Sequence, residues 1–393
     1  MRYDFDKIHN RQNTNSLKYD FAKERGKPQD LIPLWVADMD FRTPDEVVKA
    51  LKEKAEHGIF GYSEPKEDYF RTLENWFYTR HGWKVEGKRF VQTCGVVFAI
   101  SALIRCMTNV GDAVLICQPV YYPFAGAVTG NHRKLVVSEL KNEDGFYTTD
   151  FEDFENKIKE NQVKLFILCN PHNPVGRVWT REELIRMGEI CLKYGVFVVS
   201  DEIHEDFIYE GNEHTVYATI NKKFEINCAV CTAPTKTFNL AGLHISNTYI
   251  YNDVVRKKFS DELDAQGYSQ SNIMGLVACQ AAYTYGAEWL DELKIYLTEN
   301  LTYVRDYLKK NIPQIKLVEP QGTYLIWLDC RGLGLTDRQL KLFIQDKAKL
   351  WTDDGYIFGA GGSGFERINI ACPRSILKNA LENLRIAVSE TEK

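Results

Sequence analysis

Short apolar runs alternate with amphipathic segments through the middle of the chain, most clearly between Lys164 and Ser200. Leu165-Phe166-Ile167-Leu168 reads as a strand buried on both faces, because no polar residue interrupts it. Asn170-Pro171-His172-Asn173-Pro174-Val175-Gly176 follows as a loop dense in helix and strand breakers. Thr180 and Glu183 then form a capping box, after which Leu184, Met187 and Cys191 recur on one helical face. Gly195 supplies the stop, and Val196 to Val199 form the next buried strand. This is a βαβ unit, expected to be right-handed. The same periodicities predict strands over 113–117, 228–232 and 245–250, and a helix over 97–107 entered from a turn at Gly95. A long helix is predicted over 289–312, followed by strands over 316–318, 322–328 and 367–370 and helices over 337–349 and 375–388. The pattern therefore predicts an α/β chain in two parts. A large domain over 47–287 carries a mostly parallel sheet, and residues 1–46 and 288–393 form a smaller α+β domain.

A length of 393 residues suits two domains better than one core. With 44% hydrophobic and 26% charged residues the composition is that of a folded globular chain. A net charge of −5 argues against nucleic acid or an anionic membrane as the main partner. No apolar stretch reaches the roughly 18 residues of a membrane span. Met1-Arg2-Tyr3-Asp4-Phe5-Asp6 places charges where a signal peptide needs its apolar region, so a cytoplasmic location is expected. The ten cysteines are scattered through apolar segments and read as core thiols, Cys228-Ala229-Val230-Cys231 included. The eight histidines form no spaced ligand cluster, so no metal is expected.

Ligands of open α/β sheets bind beyond the carboxyl ends of the parallel strands. Three of the predicted strands deliver polar residues to that edge: one leads to Asn173, one to Asp201 and His204, and one to Thr235 and Lys236. An amide, a carboxylate and a lysine on one rim are what a pyridoxal ring requires. The amine condenses with its aldehyde, the carboxylate opposes the charge of its ring nitrogen, and the amide donates to its phenolate oxygen. Gly95-Val96-Val97 at a helix start offers backbone N–H groups to a phosphate. Taken singly, each residue has a plainer reading: Asp201 as a turn residue, Lys236 as a solvated charge, Gly95 as a turn, Tyr121 and Tyr122 as half-buried aromatics. Their joint placement in chain order favours the site.

Thr235-Lys236-Thr237-Phe238-Asn239-Leu240-Ala241-Gly242 resembles the lysine motif of the fold-type I, class I/II aminotransferases. The segments 170–176 and 201–204 resemble that family's ring-binding motifs, in the same order. Trp35-Val36-Ala37-Asp38-Met39-Asp40-Phe41, Gly322-Thr323-Tyr324-Leu325-Ile326-Trp327-Leu328-Asp329 and Arg367-Ile368-Asn369-Ile370-Ala371-Cys372-Pro373-Arg374 are similar to the MalY/PatB-type cystathionine β-lyases, or C–S lyases. The resemblance spans essentially the whole chain. It implies a fold-type I pyridoxal 5'-phosphate (PLP) enzyme with Lys236, Tyr121 and Asp201 as its catalytic set. Tyr121 then stacks on the ring, Asn173 bonds the ring oxygen, and Thr235 with Gly95, Val96 and Val97 serves the phosphate. Arg367 clamps the substrate carboxylate, with Ala37, Tyr122 and Asn173 on the substrate side. Tyr62 reaches the phosphate of a neighbouring subunit, which implies a homodimer. Three departures stand out: His244 replaces a phosphate-binding arginine, His204 replaces the tyrosine that bonds the ring oxygen, and Ala233 replaces a phosphate-binding serine. The favoured activity is α,β-elimination from sulfur amino acids. The same residues also serve an aminotransferase, and a regulatory binding protein on this fold is a third reading. The substrate stays open among cystathionine, cysteine and related thioethers.

Overall fold

A computed structural model describes residues 2–391. Among these residues the large sheet has eight strands: β1 (Phe90–Thr93), β2 (Ala113–Gln118), β3 (Lys134–Glu143), β4 (Phe146–Thr149), β5 (Leu165–Cys169), β6 (Phe197–Asp201), β7 (Cys228–Thr232) and β8 (Ser246–Tyr249). Their order is β1-β8-β7-β6-β5-β2-β3-β4. The pairs from β7 through β6, β5 and β2 to β3 are parallel. Strand β8 runs antiparallel between β7 and β1, and β4 runs antiparallel at the other edge. The mostly parallel α/β sheet expected from the pattern is therefore present.

The unbroken apolar strands are explained by cover on both faces. Every residue of β5, β6 and β7 is buried. Alternate residues feed two separate cores: Phe166, Leu168, Val198 and Val230 join one, while Leu165, Ile167, Val199 and Cys231 join the other. The second core is closed by the helix Val96–Met107 through Val96, Ala99, Ile100 and Leu103. The first is closed in part by Leu184, Met187 and Cys191 of the helix Arg181–Tyr194. That helix starts on the expected capping box: Glu183 N donates to Thr180 Oγ1 at 3.2 Å and Thr180 N to Glu183 Oε2 at 2.8 Å. It ends on Gly195 at φ 67°, the left-handed conformation that favours glycine.

The second sheet has the order β9-β10-β12-β11, with β9 Lys316–Val318, β10 Leu325–Asp329, β11 Asp353–Asp354 and β12 Phe365–Asn369. The long helix Ala287–Asn311 packs against β9, and the helix Arg374–Thr391 packs against that long helix. The N-terminal segment joins this part of the chain. Ile32–Pro33 pairs in parallel with Leu350–Trp351, and Trp35 stacks on Trp351 at 4.7 Å. Two expectations are corrected. The strand expected to begin at Gly322 begins at Leu325, because Gly322 bridges to Ile208 and Thr323 adopts φ 69° with its hydroxyl bonded to Leu325. The helix expected over 337–349 is α-helical only over Asp337–Leu342, after which Phe343–Lys347 widens into a π turn.

Candidate active site

The site is assembled at the carboxyl ends of β5, β6 and β7. Cys169 ends β5, and the loop after it is fixed by two hydrogen bonds: Trp179 Nε1 donates to Cys169 O at 2.9 Å, and His172 Nε2 lies 2.8 Å from Pro119 O. The loop thereby presents Asn173. Asp201 is the last residue of β6, and its Oδ1 accepts from Ile203 N at 3.1 Å. Lys236 sits in the single helical turn Pro234–Thr237 just past β7, and its Nζ donates to Ala37 O at 2.8 Å.

These residues face one cavity of about 450 Å³. Asn173, Asp201, His204, Thr235, Lys236 and Ala37 line it. Tyr121 and the helix start Gly95, Val96 and Val97 line it as well. That helix has no side-chain cap, so its first N–H groups are open toward the cavity. His244, noted in the sequence for standing where the family has an arginine, also lines it, as do Cys94, Phe98, Cys169, Ile203 and Ala241, which were not singled out from the sequence. Their signal was adjacency: each lies within, or a few residues from, a segment already marked.

The other expected residues lie outside this lining. Arg367 comes from β12, is buried, and reaches the site through Asn173, with Nη1 donating to Asn173 Oδ1 at 3.0 Å. Its Nη2 donates to Trp35 O at 2.9 Å and pairs with Asp353. Tyr122 is half exposed, with its ring 5.5 Å from that of Tyr121. Tyr62 is 94% exposed and lines a neighbouring cleft that shares Cys94 and His244 with the cavity.

Burial dominates the electrostatics of the cavity. It lowers the Lys236 amine to about 8, with Asp38 and Asp201 opposing and Arg367 assisting. It lifts the Asp201 carboxyl to about 7, against the Ile203 N–H and the Lys236 charge. It drives His204 down to about 3, helped by the charges of Lys236 and Arg367, so this imidazole is neutral at physiological pH. His204 Nδ1 is buried without a hydrogen-bond partner. A basic amine of low pKa, a buried carboxylate with no ion-pair contact among the described residues, an orphaned ring nitrogen and an uncapped helix start form a donor set that suits PLP. The cavity volume falls within the ordinary range for such ligands.

Behind Asp201 lies a polar network assembled from distant residues. His81 Nε2 is 3.0 Å from Asp206 Oδ1, Thr237 Oγ1 donates to Asp206 Oδ2 at 2.7 Å, and His214 Nε2 is 2.8 Å from Glu202 Oε2. Two groups there, His81 with Glu205 and Asp206 and Glu202 with Glu205 and His214, bring ligand-type atoms close together. No spacing in the sequence foretold this, because His81 stands 125 residues from Asp206.

The family model for aminotransferase class I and II matches residues 29–384. The chain is 42% identical over 385 residues to cystathionine beta-lyase PatB of Bacillus subtilis (strain 168), covering 98% of this chain and 100% of that protein. It is 34% identical to protein MalY of Escherichia coli (strain K12), covering 98% and 99%. Among solved structures it is similar to cystalysin from Treponema denticola, which contains a pyridoxal 5'-phosphate cofactor. There the TM-score is 0.96 at 39% identity, with 100% of both chains covered.

Proposed function

The chain belongs to the aminotransferase class I and II family, and from that premise we propose that it is a PLP-dependent carbon–sulfur β-lyase of the cystathionine β-lyase kind. It converts thioether amino acids to pyruvate, ammonia and a thiol. One observation carries the reading: Lys236 Nζ rests on Ala37 O, which joins the family's lysine to the Trp35–Phe41 segment that marks the lyase subgroup.

PLP, when bound, supplies the aldehyde and the electron sink of the reaction. Lys236 would hold its aldehyde carbon, Asp201 its ring nitrogen, Asn173 its ring oxygen and Tyr121 its ring face, with Thr235 and the helix start at Gly95 on its phosphate. The remaining work belongs to side chains of this chain. Arg367 and Asn173 orient the substrate carboxylate. The freed Nζ of Lys236 takes the Cα proton, and an amine lowered to about 8 is appreciably neutral near physiological pH while still basic. A thiol has a pKa near 8.5, so the sulfur on Cβ departs as thiolate with little help from a proton donor. Ala37 lines the cavity beside Lys236 and accepts from its Nζ.

The expected division into residues 47–287 and residues 1–46 with 288–393 forms part of this reading. The eight-stranded sheet lies in the first part and the four-stranded sheet in the second. The assembly is a homodimer. Ile59, Phe60 and Tyr62 are all more than half exposed beside a cleft that adjoins the cavity, which suits cover by a second copy. Among the described residues no helix is long and apolar enough to cross a membrane, and the cytoplasm is the proposed location. Incubation of the PLP-loaded protein with L-cystathionine and no keto acid tests the function. Pyruvate, ammonia and a free thiol in equal amounts are expected; their absence counts against it.

A further inference from the structure

The guanidinium of Arg367 is committed before any substrate arrives. β11 and β12 pair antiparallel with Asp353 directly opposite Arg367, so the strand register itself sets the carboxylate against the guanidinium. Both side chains are almost fully buried, at 3% and 8% exposure. Nη2 donates to Asp353 Oδ2 and to Trp35 O, which uses both of its hydrogens. Nη1 donates to Asn173, and Nε is buried with no partner. A carboxylate docks on arginine with two bonds only along the Nη1–Nη2 edge or the Nε–Nη2 edge, and both edges contain Nη2. A substrate carboxylate therefore gains its second bond only by taking Nη2 from a present partner. Trp35 O belongs to backbone anchored by the Trp35–Trp351 stack, whereas Asp353 is a side chain of the substrate's own charge type. Exchanging one carboxylate for another also keeps Arg367 paired throughout, and an unpaired buried guanidinium is costly. Lys27 is near enough to act electrostatically on Asp353 once it is released.

We propose that Asp353 is a built-in stand-in for the substrate α-carboxylate: it holds Arg367 in the resting enzyme, yields Nη2 as the substrate binds, and so sets the affinity for carboxylate-bearing ligands. This rests on the reading of Arg367 as the substrate clamp. Asp353 acts through Arg367 and is a positioning residue.

The test uses two inhibitors of the holoenzyme, 3-(ethylthio)propionate, which has the carboxylate and no amine, and 2-(ethylthio)ethylamine, which has the amine and no carboxylate. Asp353→Asn and Asp353→Ala should each bind the carboxylate at least about fivefold more tightly, since a charge-assisted hydrogen bond is no longer contested. KM for S-ethyl-L-cysteine should fall in parallel, and the amine should bind as in the parent. Carboxylate affinity that is unchanged or weaker overturns the proposal, as does failure of both variants to fold, because a partner released at each turnover does not hold the strands together. Arg367→Ala is measured alongside. If it leaves carboxylate binding intact, the clamp reading itself fails, whatever the Asp353 variants show.

Discussion

Lys236 Nζ donates to the carbonyl oxygen of Ala37 at 2.8 Å, and the hydroxyl of Tyr324 donates to the same oxygen at 3.2 Å. The segment around this carbonyl is tied down on both sides. Asn369 Nδ2 donates to Val36 O at 2.8 Å and Asp38 O at 2.7 Å, while Asn239 Nδ2 bonds Met39 O and Phe41 O at 2.9 Å each. The amine is thus aimed by fixed backbone. Lys236→Ala is expected to lose the visible cofactor absorbance and nearly all turnover while keeping its circular dichroism. Activity close to that of the parent would remove Lys236 from the mechanism.

The lowered pKa of that amine sets a pH dependence. A neutral amine is the nucleophile toward the PLP aldehyde, and its neutral fraction rises about tenfold per pH unit below the pKa and is constant above it. With the Lys236 amine at about 8, the rate at which apoenzyme captures PLP should climb up to pH 8 and level off beyond it. Stopped-flow absorbance over pH 6 to about 10 checks this, since an ordinary lysine near 10.4 shows no plateau in that window.

Asp201 is buried at the end of β6, and burial raises its carboxyl to about 7. A cationic ring nitrogen beside it restores the ionised form, and the pairing strengthens the electron sink. Asp201→Asn keeps the shape and removes the charge. Its kcat should fall by about 10²–10³, the scale of a lost electrostatic partner in a dry site, and PLP should dissociate more readily. Full activity in this variant would place the ring-nitrogen partner elsewhere.

What the sequence made legible follows from local signals. β5 and β6 were readable because their apolar residues run without interruption and the capping box and Gly195 bracket the helix between them. β3 was missed because it lies toward one edge of the sheet and mixes charge into its pattern, with Lys134, Glu139, Lys141 and Glu143 among ten residues. β1, Phe90-Val91-Gln92-Thr93, is too short and mixed to register. Asn173, Asp201 and Lys236 were legible because each ends or follows a buried strand. Asp353 was not, since an acid in Thr352-Asp353-Asp354-Gly355 reads as a turn residue until the antiparallel register brings it opposite Arg367. The His81–Asp206 pair was equally hidden, because only the tertiary fold joins residues so far apart.

Arg367→Lys separates charge from geometry. Lysine keeps the positive charge and loses the fork that reaches Asn173, Trp35 and Asp353 together. KM for amino-acid substrates should rise by about tenfold or more, the cost of a charge-assisted hydrogen bond, with kcat falling if orientation is lost as well. Unchanged steady-state kinetics would exclude Arg367 from substrate binding.

The central claim is the reaction type, because Lys236, Asp201 and Arg367 serve elimination and amine transfer alike. Elimination needs a leaving group on Cβ that departs once the Cα proton has been taken, and only a substrate with such a group offers that exit. The most direct measurement is a comparison of rates on one enzyme preparation. Pyruvate release from L-cystathionine without a keto acid is set against transfer from L-alanine to 2-oxoglutarate. Pyruvate release from cystathionine is expected to be the faster by at least about tenfold, the scale on which reaction preference becomes a 1.4 kcal/mol difference in barrier. Rapid transfer from alanine with little pyruvate from cystathionine would contradict the lyase assignment.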